Sequence, residues 1–170
     1  MTRSPHSAAA PYFGAALSVA AALSVAGTLT AAAPASAQDD PSPPPAGAHA
    51  ADEAEAAEEA TAWLAVVDSG AYARSHERAS AAFRDAVSPE AWEQSVASAR
   101  VPLGALASRE LASAEFRSSL PSAPAGEYVL VLYRSSFAQL ERAVETVVMM
   151  RDTDGVWRVG GYFVRPTQVG

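Results

Sequence analysis

The chain has 170 residues, 19 of them acidic and 12 basic, for a net charge of −7, and it contains no cysteine. The missing thiols exclude disulfides, thiolate metal sites and a thiol nucleophile; every basic residue is Arg, so Lys-based Schiff-base chemistry is excluded too. The acidic balance gives a field that repels polyanions, so neither nucleic acid nor an anionic lipid surface is an expected partner.

In chain order, a weakly basic start (Arg3, His6) leads into an apolar, small-residue run from Phe13 to about Leu29 and then to Ala35-Ser36-Ala37. Small side chains at Ala35 and Ala37 fit the shallow subsites of a signal peptidase, so residues 1–37 read as a signal peptide cleaved before Gln38. Gly14, Gly27 and several Ser and Thr residues interrupt the run and Pro34 follows it, so it lacks the roughly 20 predominantly apolar residues of a stable span. The expected product is periplasmic or secreted, with no membrane span and no lipid-bearing Cys. Losing Arg3 and no acidic residue takes the net charge from −7 to −8.

Residues 38–50 carry no apolar side chain larger than Ala or Pro and read as a disordered Pro/Ala-rich linker. From Ala51 the pattern turns helical, with Ala56, Ala60, Trp63, Leu64 and Val67 at spacings of three and four, acidic residues near the start and Gly70 at the end. A second helical stripe runs through Tyr72, His76, Ala79, Phe83 and Val87. Ser88-Pro89-Glu90 reads as an N-cap, a first-turn proline and an acidic first turn, opening a third helix with Trp92, Val96 and Ala99 on one face.

The period then changes. Residues 106–118 predict a weak strand, Glu127 to Phe137 a strong one, and 141–151 a third. Asp152-Thr153-Asp154-Gly155 signals a tight turn into a fourth strand, Val156 to Val164, with Gly160-Gly161 as a bulge or point of close approach. The fold class is therefore α+β: residues 51–166 form a single domain of about three N-terminal helices packed on a curved four-stranded antiparallel sheet, in the manner of cystatin-like or NTF2-like cones.

The chain from about Ala54 to Val164 resembles the bacterial domain of unknown function 4019 family. The residues that carry the resemblance include Trp63-Leu64, Asp68-Ser69-Gly70-Ala71-Tyr72, Ser75, Phe83, Trp92, Arg100 with Pro102-Leu103-Gly104, Arg109, Glu127-Tyr128, Tyr133, Glu145-Thr146-Val147 and Trp157 through Tyr162. The pattern tends to an aromatic residue after Ser75, where this chain has His76. The resemblance implies an exported or envelope-associated bacterial protein and assigns no activity.

Candidates for chemistry are few. His76 could act as a general base with Glu145 or Asp68 as partner, or replace a core aromatic ring. His49, in the linker, is not expected to act. Glu145 could meet Arg134 or Arg142 as a cross-strand ion pair or help bind a polar ligand. Arg100 and Arg109 could grip a carboxylate bidentately, although capping of the third helix explains Arg100 equally well. Tyr133 stands among the aromatic residues that could line a pocket. No G-x-S-x-G elbow, phosphate loop or H-E-x-x-H helix occurs, Asp152 and Asp154 lack the further ligands of a calcium loop, and no metal site or cofactor is expected. The leading expectation is a non-catalytic envelope domain that binds a protein or small ligand. The alternatives are a small cone-fold enzyme moving a proton between a pocket His and a carboxylate, and a structural homodimer pairing sheet faces or edges.

Overall fold

The computed structural model describes residues 47–167; the signal-peptide reading of 1–37 and the linker reading of 38–46 lie outside the described residues. The first long helix, α1 (Ala50–Asp68), carries Asp52 and Glu53 in its first turn, where the helix dipole favours negative charge. Its buried stripe of Ala56, Ala60, Trp63, Leu64 and Val67 keeps the three-and-four spacing expected of a helix with one apolar face. His49, which the sequence placed in a linker, is its N-cap residue, and its ring stacks on Phe116 with centroids 3.7 Å apart. Gly70 follows the helix at φ +76°, and its N–H donates to the Val67 carbonyl.

The second predicted helix is broken in two, so the described residues form four α-helices where three were expected. α2 (Tyr72–Glu77) stops before Ala79, and α3 (Ala81–Ala86) restarts after Ser80. The last strand causes the break: Ala79 bridges Val159, and the Ser80 N–H donates to the Val159 carbonyl at 2.8 Å. A strand edge that would otherwise bury unpaired backbone groups is thereby satisfied. Ser80 then caps α3, its Oγ accepting from the Phe83 N–H. α4 (Pro89–Arg100) starts as the sequence predicts, with Ser88 capping the Ala91 N–H and Pro89 in the first turn. A 3₁₀ turn, Val101–Leu103, leads to Gly104 at φ +74°, where a Cβ would lie 3.1 Å from the Ala138 Cβ.

The second half is an open antiparallel meander in the order β1 (Leu106–Arg117), β2 (Tyr128–Phe137), β3 (Leu140–Arg151) and β4 (Trp157–Pro166). Asp152 to Gly155 makes the β3–β4 turn, and the register slips between Val148 and Met149, leaving Gly160 as the bulge residue. Among the described residues the helices pack on one face of this sheet. α1 lies across all four strands, and the core is built from its buried stripe, Trp92 and Val96 of α4, and the inward residues Val129, Val131, Tyr133, Val147, Met149, Trp157 and Val159. Trp63 and Trp92 converge on one residue: their indole N–H groups donate to the Ser75 carbonyl and Oγ at 2.8 and 2.9 Å.

Candidate functional site

The alternation of a strand places Tyr133 and Ser135 of β2 on the inner face, and register aligns Glu145 of β3 with Tyr133 and with Val164 of β4. Glu145 is thus carried under the C-terminal ends of α1 and α4, and it is 0% exposed. Five donors surround it. Arg100 Nη1 lies 2.8 Å from Oε1 and Arg109 Nε 2.7 Å from Oε2; Arg109 Nη2, the Tyr162 hydroxyl and Ser135 Oγ complete the shell at 3.1, 2.6 and 2.5 Å. Asp68, the last residue of α1, takes the remaining faces of the same guanidiniums, from Arg100 Nη2 at 2.5 Å and from Arg109 Nη1 and Nη2 at 2.6 and 3.1 Å. The Arg100 guanidinium also stacks 4.5 Å over the Phe137 ring.

Two carboxylates and two guanidiniums make the cluster neutral, as its burial requires, since an unpaired charge in such a place costs several kcal/mol. Burial alone would lower the Arg109 pKa, but hydrogen bonds to Asp68 and Glu145 outweigh it and hold the group above its ordinary value. Burial likewise disfavours charge on Arg100, which Tyr162, Glu145 and Asp68 more than offset. The Tyr162 hydroxyl is pushed well above the usual phenol range by burial and then by the Glu145 charge. A neutral phenol donating to the Glu145 carboxylate is the state this shift of Tyr162 favours. The cluster ties α1, α4 and the inner face of β1, β2, β3 and β4 at one point.

Two sequence expectations are corrected here. Glu145 meets neither Arg134 nor Arg142: register sets Arg134 against Val144, on the opposite face of the sheet, and Arg142 lies three residues from Glu145 and so also on the opposite face. Arg100, for its part, makes no hydrogen bond to the carbonyls of α4 among the described residues and turns instead to the two carboxylates. Arg100, Arg109, Asp68 and Glu145 are brought together; Tyr133 and His76 are not part of this shell. Tyr133 is buried, its hydroxyl donating to the Ala57 carbonyl and meeting Thr61 Oγ1 at 2.9 Å, which pins α1 to β2. His76 is buried beside Phe83, with Nε2 2.6 Å from the Val87 carbonyl oxygen. No hydrogen bond or ion pair joins it to Glu145 or Asp68 among the described residues, so the His–carboxylate arrangement of the enzyme reading is not formed. Ser135 and Tyr162 were missed as members of the cluster, although their inward parity matches that of Glu145.

The concavities found are shallow grooves on the α2–β4 side. One, of about 330 Å³, runs between Glu59, Arg78 and the Trp157–Val159 end of β4; the other, of about 420 Å³, is lined by Arg84, Asp152 and Asp154. Both present charges of each sign. Among the described residues no group of three or more His, Cys, Asp or Glu is placed to hold a metal ion, and no helix is long and apolar enough to cross a membrane.

Among the described residues no helix packs on the other face of the sheet. Rows across it follow from register: Glu115, Leu130, Val148 and Gly161 form one, Ser113, Leu132, Thr146 and Phe163 the next, and Glu110, Arg134, Val144 and Arg165 a third. The Phe163 ring reaches over Gly161 toward Val148 and is 50% exposed. At one end the β1–β2 loop closes over Tyr128, whose hydroxyl donates to the Pro124 carbonyl, and Gly126 approaches Met150. At the centre, Leu130, Leu132, Val144, Thr146 and Val148 are half-buried.

Residues 59–162 match the family model described as "Protein of unknown function (DUF4019)". The chain belongs to this family. The match spans every member of the Glu145 cluster, and Asp68, Arg100, Arg109, Glu145 and Tyr162 are all among the residues on which the resemblance in the sequence rests. Searches of curated proteins and of solved structures find no match.

Proposed function

We propose that the chain is an exported, non-catalytic domain that works by protein–protein contact through the open face of its sheet, with the Glu145 cluster as the rigid scaffold behind it. One observation carries this reading. β2 and β3 are apolar at both parities, with Val129, Val131 and Val147 inward and Leu130, Leu132, Val144 and Val148 outward, whereas among the described residues helices cover the inward side alone. Continuous apolar runs are the pattern of strands covered on both faces, and on the outward side Phe163 is 50% exposed beside half-buried Leu130, Leu132, Val144 and Val148. The cluster, by contrast, supports no chemistry: five donors occupy the Glu145 carboxylate, leaving no oxygen open to a substrate. Export rests on the leader pattern of residues 1–37, and mass spectrometry of the product is expected to find Gln38 at its N-terminus; Met1 there would remove the export half of the proposal.

The interaction half is tested by placing a photo-crosslinking phenylalanine analogue at Thr146, in the middle of the open face, and at Glu93, exposed on the far side of α4, in cells expressing the full sequence. Protein adducts are expected from position 146 and none from 93. Adducts from neither position, or from 93 alone, would contradict the reading.

A further inference from the structure

We infer that the protein covering the open face brings carboxylates to Arg134 and Arg165, which stand on either side of Val144; this rests on the open-face reading above. Register sets Arg134 of β2 and Arg165 of β4 against the same Val144 of β3, so two guanidiniums flank an apolar side chain from strands roughly 10 Å apart. Arg142, two residues before Val144 on β3, extends the group along the strand. All three Arg are exposed, and among the described residues none has an ion-pair partner. The rest of the face differs. Arg117 is paired with Glu115, and Arg158 with Asp152 and Asp154 at the β3–β4 turn. Two carboxylates lie near the three Arg without closing on them: Glu110, opposite Arg134 on β1, and Glu141, next to Arg142 in the chain. Arg165 has none beside it, its neighbours on the face being Arg142, Val144, Thr146 and Phe163.

A partner that covers Leu132, Val144 and Phe163 also covers Arg134 and Arg165, because they share or adjoin a row. A guanidinium taken out of water without a counter-charge is costly, so the partner has to supply acceptor oxygens there, and a carboxylate meets the Arg fork through two hydrogen bonds at once. The requirement is local. Glu110, Glu115 and Glu141 lie on or beside the same face, and the chain carries a net charge of −7. A polyanion or an anionic bilayer presents its charge over the whole contact and would oppose these carboxylates as well. A folded protein instead sets carboxylates against the two Arg and apolar side chains between and beside them, as polar rims and apolar centres are arranged in protein interfaces. The occupant so specified is a protein surface with an apolar centre and two carboxylates spaced roughly 10 Å apart, to match alternate strands.

The test is photo-crosslinking from position 146 in cells expressing the full sequence, in the native background and with Arg134→Ser plus Arg165→Ser, with Arg134→Lys plus Arg165→Lys, and with Arg74→Ser, an exposed Arg of α2, as the control. Adduct yield is expected to fall about fivefold or more in the Ser pair and to stay within about twofold of native in the Lys pair and the control. The circular dichroism spectrum of the Ser pair should be unchanged. Crosslinked peptides from the native adduct are expected to carry two or more Asp or Glu residues. A Ser pair that crosslinks as well as the native chain, or crosslinked peptides without Asp or Glu, would overturn the inference and leave the open-face reading standing. No adduct from the native chain overturns both. Flotation of the purified protein with vesicles of phosphatidylethanolamine and phosphatidylglycerol addresses a lipid source of the anion: no flotation is expected, and flotation that the Ser pair abolishes would overturn the inference.

Discussion

Glu145 sits at 0% exposure among two guanidiniums, a phenol and a serine hydroxyl. Glu145→Gln keeps the shape and removes the charge, leaving Arg100 and Arg109 with only Asp68, so urea unfolding is expected to show a loss of about 3–5 kcal/mol. A loss below about 1 kcal/mol would mean that the cluster does not hold the fold. Tyr162 gives a pH signature. Its folded pKa is raised from 10.0, by burial first and the Glu145 charge second, so above pH 10 the unfolded chain releases a proton that the folded chain keeps. Stability is unaffected by this group below pH 10 and falls as pH rises beyond it, by at most ~1.4 kcal/mol per pH unit. Tyr128 and Tyr133, raised by burial, act in the same direction. Tyr162→Phe is expected to shallow the alkaline fall in denaturation midpoint without abolishing it; an unchanged slope contradicts the assignment. At the surface, hydrogen bonds from Arg158 and then from the Val156 N–H hold the Asp154 carboxyl down to about 2. In Arg158→Ala an NMR titration should find it back toward the ordinary carboxylate range. The membership of Arg100 and Arg109 in a carboxylate grip was legible from their chemistry. Their partner was not, because the grip joins residues 36 and 45 positions apart in the chain. Parity alone separates Glu145 from Arg142, so that mistaken pairing was avoidable.

At the scale of elements, the helix starts were the most legible features where a cap and a proline coincide. Ser88-Pro89 fixed α4 because both signals are local. Ser80 caps just as well, but it sits inside a continuous apolar stripe, and only the long-range bridge of Ala79 to Val159 shows why the helix stops. Ser80→Ala and Ser88→Ala are each expected to cost about 1 kcal/mol in unfolding free energy. The strands were readable from β-branched and aromatic content, and the β3–β4 turn from its Asp and Gly residues, since turns are local chemistry. Gly104→Ala combines a φ of +74° with a Cβ 3.1 Å from Ala138, so thermal unfolding of that variant should shift down by several degrees.

For the whole molecule, a change of period from helical to alternating near residue 105 makes the α+β class visible in the sequence. The same runs, apolar at both parities, indicate that the central strands need cover on two sides; which side the helices take depends on register, and register is a tertiary property. The described residues supply one layer of helices for two apolar faces. Photo-crosslinking from position 146 in cells expressing the full sequence tests most directly whether another protein supplies the other cover. Protein adducts are expected from position 146 and none from position 93 on the far side of α4. Adducts from neither position, or from 93 alone, would contradict the account.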